Sequence, residues 1–338
     1  MNNNINVPVN PTYHEVVNDF AKEWEKNKSE RYKEYRRKWS ENPKNFIVED
    51  APLHLDIEPT NACNLKCPMC PRTVIVNDDI RSKNFTVGIM EFYTFKKIID
   101  EAVQIGVYSI KLNWLGEPLV HPQIVDMVRY AKQKGIIDVM FNTNAALLNE
   151  ELSKQLIEAG IDKIFFSFDS PFKEKYEQIR VGAKFEDTFN NIKKLIQIRN
   201  EMGRTSPLTR VSMVLMENNK DEYDEFIKLF KDIVDVVAYV EYREPIASVK
   251  DKIDYEKKFA CSQLWQRMFI SWNGDVVPCC VDSEKEIFIN NVNKVSIKNI
   301  WNSSKYNNLR ENHKNGEWYK ENRCKKCDIP NKIKDGTI

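Results

Sequence analysis

Cysteine placement constrains this chain more than any other feature. None of its eight cysteines precedes Cys63, three fall at Cys63, Cys67 and Cys70, and the other five lie from Cys261 to Cys327. The first group sits in Pro59-Thr60-Asn61-Ala62-Cys63-Asn64-Leu65-Lys66-Cys67-Pro68-Met69-Cys70-Pro71-Arg72. A short loop with this C-x3-C-x2-C spacing can turn three sulfurs towards one centre, which suits one face of a cubane iron–sulfur cluster. Such clusters usually take four cysteines. With only three nearby, one iron is left open to a small-molecule ligand. Catalytic zinc also uses three protein ligands and an open position. Spacing alone leaves cluster, zinc and three unrelated buried thiols as alternatives.

Composition narrows the setting. The chain has 51 Lys and Arg against 50 Asp and Glu, a net charge of +1, so no charge bias points to nucleic acid or an anionic membrane. No apolar run approaches the roughly 20 residues of a membrane span. Residues 1–11 are Asn-rich and carry no basic region followed by an apolar core, so no secretory signal is expected. A cytoplasmic protein with reduced thiols follows, and there clustered cysteines act as ligands or catalysts.

Three regions are expected: a helical extension over 1–50, a core over 51–245 and a small cysteine-bearing domain over 246–338. Residues 13–40 are highly charged, with Val16, Val17, Phe20, Trp24, Tyr32, Tyr35 and Trp39 at largely helical spacing, and predict an amphipathic helix packed on the core. Six strands are predicted at 53–57, 108–112, 139–141, 163–167, 210–214 and 236–240. Helices are predicted between them at about 90–104, 121–134, 148–159, 172–200 (broken near Gly182) and 220–232. This alternation argues for an α/β fold of right-handed βαβ units. Six units fall short of the eight of a closed TIM barrel, so a partial (β/α)6 TIM-like barrel is expected.

Several short motifs follow the predicted strands. Leu115-Gly116-Glu117-Pro118-Leu119 follows the second, Asn142-Thr143-Asn144 the third and Ser167-Phe168-Asp169-Ser170 the fourth; Arg180 comes after them. Parallel α/β sheets place their ligands at these carboxyl ends. With the cysteine loop, the set resembles the radical S-adenosylmethionine (SAM) superfamily. The resemblance implies a SAM-binding [4Fe–4S] cluster on Cys63, Cys67 and Cys70. It implies SAM contacts at Gly116, Glu117, Pro118, Asn142, Ser167, Asp169 and Arg180. Arg180 would pair with the SAM carboxylate, to which a guanidinium fork is matched. Leu115 departs from the family's usual first Gly, and Met69 stands where many members carry an aromatic residue.

The C-terminal cysteines read as either a zinc ribbon or a second cluster. Phe269 to Cys280, with Trp272-Asn273-Gly274-Asp275 at its centre, predicts a hairpin presenting Cys279. Cys261-x12-Gly274-x4-Cys279, followed by Cys324-x2-Cys327, resembles the shortened SPASM extension, sometimes called twitch. That resemblance implies one auxiliary [4Fe–4S] cluster on Cys261, Cys279, Cys324 and Cys327, with Cys280 left over as a buried thiol.

Together these features resemble the 2-deoxy-scyllo-inosamine dehydrogenases most. The resemblance implies cleavage of SAM to a 5′-deoxyadenosyl radical and oxidation of an alcohol on a sugar, cyclitol or similar small polar substrate. The auxiliary cluster would accept the electron. A flavodoxin or ferredoxin would serve as reductant. Candidates to handle the hydroxyl proton are Glu241, Arg243 and Glu244, with Arg243 favoured as an orienting group because it does not deprotonate. Peptide modification, redox-neutral sugar rearrangement or epimerisation, and a non-catalytic zinc scaffold remain alternatives.

Overall fold

The computed structural model describes residues 5–9, 13–243 and 258–332. Glu244 and the expected boundary between 245 and 246 lie outside these residues. Six parallel strands are laid down in chain order: β2 (His54–Ile57), β3 (Ser109–Leu112), β4 (Asp138–Thr143), β5 (Lys163–Ser167), β6 (Leu208–Leu215) and β7 (Val236–Glu241). Each coincides with a predicted strand. The helices between them are α4 (Phe92–Gln104), α5 (Ile124–Lys134), α6 (Glu150–Glu158), α7 (Lys173–Ile179), α8 (Phe185–Glu201) and α9 (Tyr223–Phe230). The predicted break near Gly182 is real: that residue has φ +103° and separates α7 from α8.

The strands alternate between two environments. Leu55, Ile110, Phe141, Ile164 and Val211 point outwards and are fully buried beneath the helices. Phe95, Ile98, Ile99 and Ala102 form the buried stripe of α4 at helical spacing. The opposite faces of the strands turn towards a polar lumen, occupied by His54, Asp56, Lys111, Asn142, Arg210 and Ser212.

The barrel does not close, and both edges are extended. β1 (Tyr13–Val17) pairs antiparallel with β7. This corrects the single helix expected over 13–40. Tyr13, Val16 and Val17 are good strand formers, and the open edge of β7 gives them a partner. Asn18 then ends the strand and caps α1 (Asp19–Lys26) by accepting from the Ala21 amide at 2.8 Å. α2 (Glu30–Lys44) follows. Trp24, Tyr32, Tyr35 and Trp39 from these helices pack with Leu53, Tyr108, Ile137 and Leu208 at the amino ends of the strands. The extension therefore forms the floor of the barrel.

At the other edge, β8 (Arg267–Ile270) runs parallel to β2 and turns back through β9 (Asp275–Val277) and β10 (Asn290–Asn291). The result is one ten-stranded sheet in the order β1-β7-β6-β5-β4-β3-β2-β8-β9-β10. The predicted hairpin is present, with Gly274 at φ +87° in its turn, and its first strand joins the barrel sheet. Small helices complete the region, including α10 (Ile297–Trp301), α11 (Ser304–Lys314) and α12 (Asn322–Lys325).

Candidate active site

The first cysteine loop leaves β2 at the carboxyl end of the barrel and is pinned by its neighbours. Thr60 Oγ1 donates to Gly88 O at 2.7 Å and accepts from the Ala62 amide at 3.0 Å. Asn61 exchanges hydrogen bonds with Thr86 O and the Gly88 amide, both at 2.8 Å. Arg72 Nε donates to Asn61 O at 2.6 Å. The Glu117 and Lys66 amides donate to Ala62 O and Val181 O at 2.9 Å each, tying the loop to two neighbouring loops. Gly116 is required by this packing: a Cβ there would lie 2.1 Å from Thr60 O and 2.6 Å from Ala62 O.

Cys63, Cys67 and Cys70 are brought together by this loop, and Cys70 leads directly into α3 (Pro71–Val76). Burial pushes the Cys63 thiol up to about 11, so its thiolate needs a positive partner such as iron. Three thiols from one short loop, with the Arg180 guanidinium 3.9 Å from the Cys67 sulfur, fit the donor set of a cubane that keeps one iron open.

Glu117 joins two of the motifs. Its carboxylate accepts from Thr143 Oγ1 at 2.7 Å, the Asn144 amide at 2.8 Å and the Leu119 amide at 3.1 Å. Burial, opposed by these bonds, raises its pKa to about 7. Its side chain is therefore committed within the protein, and only the backbone of Gly116-Glu117-Pro118 is left to meet a ligand. Asp169 is committed too. It accepts from the Val214 amide at 2.8 Å and faces Arg180 Nε at 2.5 Å. Arg180 Nη1 lies 3.9 Å from Cys67 Sγ, beside the cluster loop. Asn142 and Ser167 lie at the carboxyl ends of β4 and β5. Asn142 Oδ1 and Ser212 Oγ are buried with no hydrogen-bond partner. Such orphaned lumen atoms are what a polar ligand would satisfy, so the residues present fit SAM.

Sequence reading missed Glu58 and Ser212. Glu58, immediately after β2, accepts from the Leu115 amide at 3.1 Å and the Trp272 amide at 3.2 Å, coupling the motif loop to the C-terminal hairpin. An acid directly before the cysteine loop was the available signal. For Ser212, it was the polar–apolar alternation of residues 210–213.

The C-terminal cysteines form a second group. Burial, followed by the neighbouring Cys261 and Cys327, pushes the Cys324 thiol well up. Cys279 is raised first by its hydrogen bond with Cys280, then by burial and by Cys261 and Cys327. Cys261 and Cys327 thus neighbour each other and each neighbours both Cys279 and Cys324. Cys280 is only partly buried and accepts from Gln263 Nε2 at 3.6 Å.

Arg243 donates to Asp328 Oδ1 at 2.6 and 2.8 Å and approaches Cys327 Sγ at 3.5 Å. It faces the second cysteine group and also lines the lumen. Glu241 lies 3.8 Å from Lys332 and is not part of the lumen wall. The lumen cavity is about 770 Å³ and extends from Tyr35 and Trp39 at the floor to Cys261 and Cys280.

Comparison with known proteins agrees with this geometry. Residues 57–230 match the radical SAM superfamily, and 261–328 match the SPASM iron–sulfur cluster-binding domain. The chain belongs to the radical SAM superfamily. It is a radical SAM enzyme that uses SAM and [4Fe–4S] clusters. It is 25% identical over 323 residues to the tungsten-containing aldehyde ferredoxin oxidoreductase cofactor-modifying protein of Pyrococcus furiosus, covering 82% of this chain and 87% of that one. It is 30% identical over 190 residues to the GTP 3′,8-cyclase of Chlorobaculum tepidum, 56% of this chain and 53% of that one. Among solved structures, BtrN in complex with AdoMet and 2-DOIA shares the fold at TM-score 0.54 and 19% identity, covering 81% of this chain and 92% of BtrN. Streptococcus suis SuiB bound to SAM does so at TM-score 0.62 and 17% identity, covering 84% and 74%. Among the described residues, no helix is long and apolar enough to cross a membrane.

Proposed function

We propose that this enzyme oxidises an alcohol of a small polar substrate held in the lumen beside the second cysteine group. The observation that carries this is the cavity itself, whose wall includes Cys261 and Cys280 of the second cysteine group. A substrate in the lumen therefore lies against that group. Cys63, Cys67 and Cys70 would hold the SAM-binding cluster. Cys261, Cys279, Cys324 and Cys327 would hold the auxiliary one. When bound, these groups supply a 5′-deoxyadenosyl radical and an electron acceptor.

The chain's own residues position the reactants. The backbone of Gly116-Glu117-Pro118, with Asn142, Ser167 and Ser212, lines the SAM seat, while Asp169 fixes Arg180 beside Cys67. Arg243 stays charged, so it orients a substrate oxygen and stabilises an alkoxide without taking its proton. The helices α1 and α2 close the floor and leave a chamber sized for a small molecule. A cytoplasmic flavodoxin or ferredoxin would supply the reducing electron.

A second reading is modification of a larger cofactor, favoured by the near full-length match to the Pyrococcus furiosus protein. Anaerobic incubation of reconstituted enzyme with reductant, SAM and fractionated metabolites separates the two. The oxidation reading expects one 5′-deoxyadenosine per product, a product two electrons more oxidised than its substrate, and no regeneration of SAM. A redox-neutral product overturns it.

A further inference from the structure

Among the described residues, the lumen has more positive charge than their carboxylates neutralise. Most of the cations lining it are matched. Lys163 pairs with Asp138 at 2.7 Å, Arg36 with Glu25 at 3.8 Å, Arg243 with Asp328 at 2.6 Å and Arg267 with Asp56 at 3.2 Å. Lys111 on β3 and Arg210 on β6 remain. Among the described residues, Lys111 stands in no ion pair or hydrogen bond. Arg210 stacks on Phe165 at 3.7 Å and donates to Tyr13 Oη at 3.0 Å, so it reaches the carboxylate of Glu15 only through that phenol. Its Nε is buried with no hydrogen-bond partner.

The one carboxylate near Lys111 is Asp56, already shared between Arg267 and His54. Burial keeps His54 towards its neutral form. Asp56 thus faces Lys111 and Arg267, while Arg210 faces Lys111, so one carboxylate offsets one of these three cations. The Cys280 sulfur also faces Lys111 and Arg267; if ionised, it would offset a second charge and leave the third. Two like charges turned into one cavity repel each other, and an unpaired charge that is partly withdrawn from water costs free energy. A ligand of opposite charge removes that cost.

We propose that the lumen seats an anionic group of the substrate, a phosphate or a carboxylate, between Lys111 and Arg210. This rests on the reading of the cavity as the substrate chamber and names the chemical class it accepts. An arginine fork and a lysine point charge together suit such an oxyanion. A substrate whose only charge is an ammonium is disfavoured in the same chamber.

The test is anaerobic titration calorimetry on the cluster-loaded full-length protein at constant ionic strength. The probes are pyrophosphate, malonate and, as the opposite charge, ethylenediammonium. Pyrophosphate or malonate is expected to bind, and the tighter of the two assigns the class. Lys111→Gln and Arg210→Gln should each weaken that binding by about tenfold or more, equivalent to about 1.4 kcal/mol. Lys111→Arg should restore most of it, and the exposed Lys26→Gln should change nothing. In the unaltered protein, pyrophosphate should shield Lys111, but not Lys26, from acetic anhydride, as read by mass spectrometry. This second measurement decides the matter even if a variant fails to fold. Failure of both anions to bind, equal binding by all variants, or unshielded Lys111 overturns the proposal. None of these readouts requires SAM cleavage or an electron count, so the anion seat and the oxidation reading fail separately.

Discussion

Replacing Lys111 by methionine should stabilise the ligand-free protein at neutral pH, contrary to the usual outcome of altering a core strand. Burial lowers the Lys111 pKa from its ordinary 10.5 to about 8, because Asp56 only partly offsets the loss of water and Arg210 and Arg267 oppose it further. At about 1.4 kcal/mol per pKa unit, that displacement corresponds to about 3 kcal/mol. The folded state binds this proton more weakly than the unfolded state. The full penalty therefore applies below about pH 8, fades as pH rises towards about 10.5, and is absent above that. Lys111→Met removes the ammonium and keeps a stem of similar length. Urea unfolding of the anaerobic, cluster-loaded protein, followed by tryptophan fluorescence, should show a gain of up to about 3 kcal/mol near pH 7 that shrinks as pH rises. Saturating pyrophosphate should reverse the order, because only the wild-type protein gains from the anion. A loss of stability near pH 7, or an effect independent of pH, would refute the argument that this charge is uncompensated.

Other perturbations address the two cysteine groups. Gly116→Ala puts a Cβ 2.1 Å from Thr60 O, so the cysteine loop must shift; iron analysis should show the loss of about four irons per chain. Asp169→Asn strips Arg180 of its buried partner and should cost about 3–5 kcal/mol in urea unfolding. Cys280→Ser should leave the iron content unchanged, whereas Cys324→Ser should lower it by about four.

Much of the barrel was legible because its signals are local and repeated. Outward residues such as Leu55, Ile110 and Ile164 alternate with polar ones, and the helices between carry stripes of period 3.6. Motifs after successive strands marked the carboxyl end of the sheet as the ligand face. The strand at Tyr13–Val17 was not legible, since five residues at the head of a charged, helix-spaced stretch become a strand only where the open edge of β7 pairs with them. Nor was the floor, where Trp24, Tyr32, Tyr35 and Trp39 meet strand ends far away in sequence. The lumen charges were hidden for a similar reason. In sequence, Lys111 and Arg210 look like the solvated side of a half-buried strand, and only the curvature of the open sheet turns them towards one cavity. Glu117 and Asp169 were expected among the SAM contacts, Glu117 through its motif's backbone. Spacing alone could not reveal that their side chains also hold Thr143, Asn144 and Arg180.

The central claim is tested most directly by iron content and 5′-deoxyadenosine formation in wild-type protein and in a variant lacking Cys63, Cys67 and Cys70. Both would be reconstituted anaerobically and reduced in the presence of SAM. The account predicts about eight irons and 5′-deoxyadenosine release for the wild type, and about four irons with no release for the variant. Unchanged 5′-deoxyadenosine formation by the variant, or zinc in place of iron in the wild type, would contradict it.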